Sequence, residues 1–179
     1  NCDLQQNLPQ TLPLILGWDV AGTIASVGKN VSHWQVGDAI YSRPNIHRDG
    51  AYAEYVAVEA SEIAPKPRNL SWQQAAAVPL CALTAWQALY TIGNLHAGQK
   101  VLITRGSGGF GVFAIQLAKL RGAEVYTTTT HTDLATRLGA DYAIDYTQQD
   151  FTLLQGMDMV IDAVGGETLK QSYLKKADR

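Results

Sequence analysis

The stretch Val101-Leu102-Ile103-Thr104-Arg105-Gly106-Ser107-Gly108-Gly109-Phe110-Gly111 constrains this chain more than any other. Its first half is a short apolar run with β-branched residues, the pattern of a buried strand. The run breaks into Gly-x-Gly-x-x-Gly and continues as Val112-Phe113-Ala114-Ile115-Gln116-Leu117-Ala118-Lys119-Leu120, which reads as a helix. A strand, a glycine turn and a helix in this order can hold a pyrophosphate. Gly106 permits the tight turn, Gly108 lets the backbone approach the phosphates, and Gly111 lets the helix pack closely on the strand. The helix N-terminus offers free N–H groups and a partial positive charge to the anion. Ser107, Gly109 and Phe110 complete the candidate loop. Phe110, Phe113, Leu117 and Leu120 recur at three- and four-residue steps, so this face is expected on a sheet, with Gln116 and Lys119 reaching outward. Gly122 is the expected helix stop.

From Lys100 onward strands and helices alternate. Val101 to Thr104, Glu124 to Thr129, Tyr142 to Ile144 and Met159 to Ile161 read as strands, with helices near 109–121, 133–138 and 167–176. Such alternation makes a parallel sheet with crossover helices. Four strands are expected here, against about six in a two-half dinucleotide-binding domain. Upstream the rhythm is different. Leu14-Ile15-Leu16, Val20 to Val27, Ala39-Ile40-Tyr41, Tyr52 to Val58 and Ile63-Ala64 read as short strands punctuated by glycines, the pattern of a small β-barrel or sandwich. Pro65-Lys66-Pro67-Arg68-Asn69 is a stiff break, and Ser71-Trp72-Gln73-Gln74 is a capping box opening a helix. Pro79 interrupts that helix, which resumes from Leu83 to Tyr90 and ends at Gly93.

At 179 residues, with 46% apolar and 17% charged side chains, the chain can build one good core or two small domains. A net charge of −2 without a basic run excludes nucleic acid and anionic membranes as expected partners. No apolar run approaches the ~20 residues of a membrane helix. Asn1-Cys2-Asp3-Leu4-Gln5-Gln6 carries neither a leader nor an initiating Met, so no export signal is expected and the chain is expected to begin inside a longer protein. Two cysteines, Cys2 and Cys81, are too few for a disulfide framework and point to a reducing, cytoplasmic setting. Cys81, in an apolar run, is expected to be a small core residue and not a nucleophile.

The segments Pro13-Leu14-Ile15-Leu16-Gly17-Trp18-Asp19-Val20-Ala21-Gly22, Val36-Gly37-Asp38, Gly50-Ala51-Tyr52-Ala53-Glu54-Tyr55, Ala75-Ala76-Ala77-Val78-Pro79, Leu83-Thr84-Ala85-Trp86 and Leu138-Gly139-Ala140-Asp141 together resemble the medium-chain dehydrogenase/reductase superfamily. The resemblance is nearest to its zinc-independent quinone oxidoreductase, or zeta-crystallin-like, branch and covers residues 12 to 175. It implies an α/β chain with a β-rich part: a chaperonin-10-like (GroES-like) catalytic domain with a linker helix over 1–92, its N-terminal part missing. An incomplete Rossmann NADP-binding domain would follow over 93–179. Zinc-dependent relatives carry Gly-His-Glu where this chain has Gly17-Trp18-Asp19, and the cysteine-rich structural-zinc lobe is missing. His33, His47, His96 and His131 are scattered, without the spacing of a zinc site, so no metal is expected.

An acid about 20 residues past the glycine loop would bond the ribose of NAD. Here the second strand ends in Thr127-Thr128-Thr129-Thr130-His131, with no acid until Asp133. Thr128 and Thr130, as hydroxyls in place of a carboxylate, remove the repulsion against a 2′-phosphate, so NADPH is favoured over NADH. The family usually supplies a basic residue just beyond this strand; Leu134 sits near that position, with Arg137 or His131 as substitutes. By the same resemblance Tyr146 lies near the adenosine end and Thr84 near the nicotinamide. Relatives usually have His and Ala in place of Thr104 and Arg105, and Val in place of Phe110; Arg105 either reaches the pyrophosphate or crowds the loop.

The resemblance thus implies hydride transfer from NADPH to a quinone or an α,β-unsaturated carbonyl compound, with the oxyanion met by hydrogen-bond donors and protonated by solvent. Tyr41, Arg43 and Tyr52 are polar groups that could line a substrate cleft, but no catalytic residue is assigned. Ser107 is outside any Gly-x-Ser-x-Gly and is not a hydrolase nucleophile. The alternative is a truncated, inactive nucleotide-binding protein of the same fold. A methyltransferase would want an acid where Thr127 to Thr130 stand. A small-molecule substrate is the expected partner, and a homodimer of the full-length form is left open.

Overall fold

The computed structural model describes residues 12–173. The readings made on Asn1 to Gln6, Cys2 included, and the end of the helix expected at 167–176 lie outside the described residues. The chain divides into two compact units, one up to Leu80 and one from Cys81 onward. The sequence places the boundary at 92–93. The difference is one helical segment, whose Ala85 and Leu89 are buried in the second unit's core.

In the first unit β1 (Val20–Thr23), β2 (Ala39–Ser42) and β3 (Ile63–Pro65) form an antiparallel sheet in that order, with Val20 opposite Ser42 and Ile40 opposite Pro65. Gly37, at φ 93°, makes the turn that lets its N–H reach Ile24 O at 2.8 Å. Two expected strands lie outside this ladder. Leu14 to Leu16 and Tyr52 to Val58 are joined by Tyr52 N–H to Leu16 O at 2.8 Å, flanked by Gly50 N–H to Ile15 O and Ala51 N–H to Gly17 O at 2.7 Å. An alternating apolar pattern marks a face but cannot supply a ladder partner, and Tyr52 and Tyr55 stand 80% and 78% exposed.

Helix α1 (Trp72–Ala76) opens on the expected capping box: Ser71 Oγ accepts from Gln74 N at 3.2 Å, and Gln74 Oε1 accepts from Ser71 N at 2.9 Å. Pro79 does not interrupt a helix from within. It begins α2 (Pro79–Trp86), where the missing N–H costs nothing. The turn then widens into a π-helical segment, Gln87–Ile92, closed by Gly93 N–H on Ala88 O at 3.0 Å. By length and composition the helical residues Trp72–Ile92 would be long and apolar enough to cross a bilayer, which corrects the expectation that no stretch approaches that length. Ala75, Ala85 and Leu89 of this stretch are fully buried within the protein, while Leu83, Trp86 and Ile92 are exposed.

The second unit is a parallel sheet in the order β6-β5-β4-β7. Its strands are β4 (Lys100–Ile103), β5 (Glu124–Thr128), β6 (Tyr142–Ile144) and β7 (Met159–Ile161). They are joined through α3 (Gly109–Leu120), α4 (Thr132–Arg137) and a 3₁₀ turn at Phe151–Leu153, and followed by α5 (Gly166–Tyr173). Val101, Ile103, Val125, Ala114, Ile115, Leu89 and Leu95 form the buried core. Each large aliphatic side chain there contributes about 1.5–3 kcal/mol of burial. The face of α3 on the sheet is Gly111, Ala114, Ile115 and Ala118, not the expected aromatic stripe; Phe110, Phe113 and Leu117 flank it, and Leu120 is 82% exposed. Small residues win this face because they let the helix axis come close to the strands. Gly122, at φ 82°, stops α3 as expected, with Ala123 N–H on Ala118 O at 3.1 Å and Gly122 N–H on Lys119 O at 2.9 Å.

Candidate functional site

The sheet order reverses between β4 and β7. After β4 the chain moves outward to β5 and β6, then crosses back to β4's other edge. Open α/β sheets bind ligands outside the carboxyl ends of the strands at such a point. The glycine loop leaves β4 here. Gly106 N–H donates to Thr128 O at 2.9 Å, and Thr127 Oγ1 donates to Ile103 O at 2.7 Å. The left-handed residue of the turn is Arg105, at φ 58°, and not Gly106. Gly106 is needed for space, since a Cβ there would overlap Thr127 Oγ1. A Cβ on Gly111 would overlap Arg105 O and stand 2.7 Å from Gly106 Cα, which is the close strand–helix approach read from the sequence.

Gly108 is the N-cap of α3 and brings no side-chain acceptor to the first turn. The opening N–H groups of that helix, which have no intrahelical partner in any α-helix, thus receive no side-chain cap from Gly108, an arrangement that suits an anion. Ser107 is held across the site: Thr129 Oγ1 donates to Ser107 Oγ at 2.9 Å and accepts from His131 N–H at 3.0 Å. On the other side Thr104 Oγ1 donates to Asp162 Oδ1 at 2.8 Å and accepts from Ala163 N–H at 2.8 Å. Asp162 Oδ2 accepts from Gly165 N–H at 2.5 Å, so one carboxylate ties the end of β4 to the loop after β7. Thr104, Thr129 and Asp162 were missed by the sequence reading. Their only signal is a hydroxyl or carboxylate at a strand end, which has no meaning until strand order is known.

A cavity of about 750 Å³ opens beside this loop, lined by Arg105, Thr128, Tyr146, Phe151, Val164 and Thr168 among others. It brings together Thr128, buried at 4% exposure, and Tyr146, at 56%. Thr130 is exposed past the end of β5 and Thr84 is exposed on α2; neither lines the cavity. Phe110 is half-buried against the core of the unit. Cys81 is half-buried rather than fully in the core, and its Sγ would be 3.1 Å from a Cβ on Gly109. In the loop after β6, Asp145 is held below the usual carboxylate range by the Thr147 hydroxyl and backbone N–H, at 2.7 and 2.9 Å. The glycine cradle, the uncapped helix and the hydroxyl-lined cavity fit a phosphate-containing dinucleotide.

In the first unit burial raises the Asp19 carboxyl above its ordinary value. The buried Trp18 Nε1 has no acceptor among the described residues. Also among the described residues, no three His, Cys, Asp or Glu side chains come together as a metal site.

Two family models match the chain: the alcohol dehydrogenase GroES-like domain over residues 2–68 and the zinc-binding dehydrogenase domain over residues 109–177. The chain is 39% identical over 168 residues to the mitochondrial NAD(P)H oxidoreductase RTN4IP1 of Danio rerio, covering 88% of this chain and 43% of that protein. It is 41% identical over 167 residues to the 2-methylene-furan-3-one reductase of Solanum lycopersicum, covering 86% of this chain and 42% of the reductase. The Escherichia coli quinone oxidoreductase complexed with NADPH superposes with a TM-score of 0.86 at 29% identity, over 96% of this chain and 55% of that one. The chain thus spans less than half the length of these two curated relatives. A GroES-like segment followed by a Rossmann-type segment, with quinone and enone reductases as relatives, places the chain in the medium-chain dehydrogenase/reductase superfamily, to which it belongs.

Proposed function

We propose that this chain is part of an NADPH-dependent, zinc-independent reductase of quinones or α,β-unsaturated carbonyl compounds. The reading is carried by the N-terminus of α3, without a side-chain cap behind the Gly106–Gly111 loop, taken with the cavity lined by Arg105, Thr128 and Tyr146, where β5 presents Thr128 in place of an acid. In this reading the loop N–H groups from Ser107 to Gly111 and the Ser107 hydroxyl hold the pyrophosphate, while Thr128, Thr130 and Tyr146 surround the 2′-phosphorylated ribose. Thr84 serves the nicotinamide end. The nicotinamide, when bound, supplies hydride to an electron-poor carbon. The residues here bind and orient it, and solvent protonates the product oxyanion. No side chain of the chain is assigned as a catalytic residue. Trp18 and Asp19 in place of a histidine and a glutamate support a reaction without zinc.

A reducing compartment is proposed from the two cysteines alone, and relatives named as mitochondrial do not single out the cytoplasm. A small-molecule substrate, no nucleic acid, no membrane and a homodimer of a longer form belong to the same proposal. A second reading, an inactive nucleotide-binding protein, is favoured by one observation: the parallel sheet has four strands among the described residues, where two complete halves have about six.

Calorimetric titration of the chain with NADPH and with NADH tests the cofactor assignment. At least about tenfold tighter NADPH binding, some 1.4 kcal/mol, is expected; equal affinities would remove the preference. NADPH oxidation with a small quinone then separates the readings. Turnover unaffected by a strong chelator supports the reductase, and binding without any turnover supports the inactive form.

A further inference from the structure

We infer that Arg105 is the cation that reads the adenosine 2′-phosphate and thereby selects NADPH over NADH. The inference rests on the dinucleotide reading proposed above. Arg105 adopts φ 58°, a left-handed conformation that disfavours any side chain, at the turn of the candidate loop. Its backbone N–H donates to Thr128 Oγ1 at 3.2 Å. The residue therefore stands next to the end of β5, from which dinucleotide folds read the ribose 2′ position. Its stem runs along the start of α3, with Cγ 3.3 Å from where a Gly108 Cβ would stand. Arg105 is exposed and lines the same cavity as Thr128 and Tyr146. Among the described residues its guanidinium has no ion-pair partner.

The other cations near β5 are placed elsewhere. His131 is the exposed N-cap of α4 and Arg137 lies in its last turn, roughly 9 Å along the axis. Neither lines the cavity. Asp150, a carboxylate on the cavity wall, already accepts from Thr152 N–H at 2.8 Å. A guanidinium fork matches a phosphate monoester with two parallel hydrogen bonds, which the threonine hydroxyls alone cannot neutralise.

The test is calorimetric titration of the unsubstituted chain, Arg105→Gly and Arg105→Lys with NADPH and with NADH, with thermal unfolding as the control for folding. Glycine accepts the backbone angle, so Arg105→Gly is expected to unfold at the same temperature as its parent or higher. NADPH affinity is expected to fall at least tenfold in Arg105→Gly and less in Arg105→Lys, while NADH affinity stays within about twofold. Equal losses for both cofactors would move Arg105 to the pyrophosphate and overturn the assignment. Unchanged NADPH binding in a folded Arg105→Gly would overturn it while leaving the dinucleotide reading intact. If the unsubstituted chain binds neither cofactor, the dinucleotide reading fails and the assignment falls with it.

Discussion

Gly106 shows how a single hydrogen atom in place of a methyl group sets the geometry of the loop. The Thr127 hydroxyl is fixed by its bond to Ile103 O at 2.7 Å, and it occupies the space a side chain on Gly106 would need. A Cβ would overlap that oxygen and press on Ile115 Cδ1 at 3.0 Å. Both neighbours are fully buried, so neither can swing into solvent. Gly106→Ala is expected to lose about 2–4 kcal/mol, combining overpacking of about 1–3 kcal/mol with a hydrogen bond of about 1 kcal/mol. Urea unfolding measures the loss. Adding Thr127→Ala opens the space and should restore part of the stability. Full stability in Gly106→Ala alone would mean that the loop is not held in this way. Arg105 is the complementary case, since its constraint is the backbone angle and its neighbourhood is open.

Elements are tied at their ends as much as through their faces, and Asp141 is the clearest tie. It accepts from Lys119 Nζ of α3 at 2.8 Å and from Val125 N–H of β5 at 2.7 Å, just before β6 begins. Burial pushes its carboxyl up, but the Lys119 ammonium and the Val125 N–H outweigh that and hold it below the ordinary carboxylate value. A group with a lowered folded pKa stabilises the fold above its unfolded pKa, near 3.9, and loses that contribution as pH falls through the folded value. The side chains of Lys119 and Asp141 are 36% and 34% exposed, so solvent screens the ion pair to below about 1 kcal/mol and the Val125 bond carries the rest. Asp141→Ala is expected to cost about 1–2 kcal/mol at pH 7. Denaturant unfolding from pH 7 to 3 should show the gap closing below about pH 4; a constant gap would remove the carboxylate from the explanation.

The same elements show what local sequence encodes. The four parallel strands fall within a residue or so of the expected bounds, because short β-branched runs flanked by glycines leave little choice. Gly122 and Gly139 stop their helices through positive φ, a requirement visible in one residue. The aromatic stripe of α3 misled, because hydropathy favours large side chains where the packing distance demanded Ala114 and Ala118. The π-helical segment Gln87–Ile92 has no sequence mark. At the site, Thr128 is read from its place after the glycine loop and Tyr146 through the family resemblance; both line the cavity. The Thr104–Asp162 link was not, since it joins residues 58 apart that meet only once β7 pairs with β4.

At the scale of the whole molecule, binding is linked to stability. Every residue lining the cavity lies in the unit from Cys81 onward, and so does every residue of the glycine loop. A ligand that binds there only in the folded state stabilises whatever cooperative unit must open to release it. With free NADPH at 100 times its dissociation constant, that stabilisation is about 2.7 kcal/mol. For a unit of about 100 residues, each kilocalorie raises the midpoint by roughly 4–8 °C, so a rise on the order of 10 °C is expected. The rise should follow the logarithm of NADPH concentration, and NADH should need more ligand for the same effect. Hydrogen exchange locates the change: protection should increase in the first turn of α3, at Thr128 to His131 and in the loop after Ile144. A midpoint that does not move at millimolar NADPH would leave the glycine loop as a packing device in this chain.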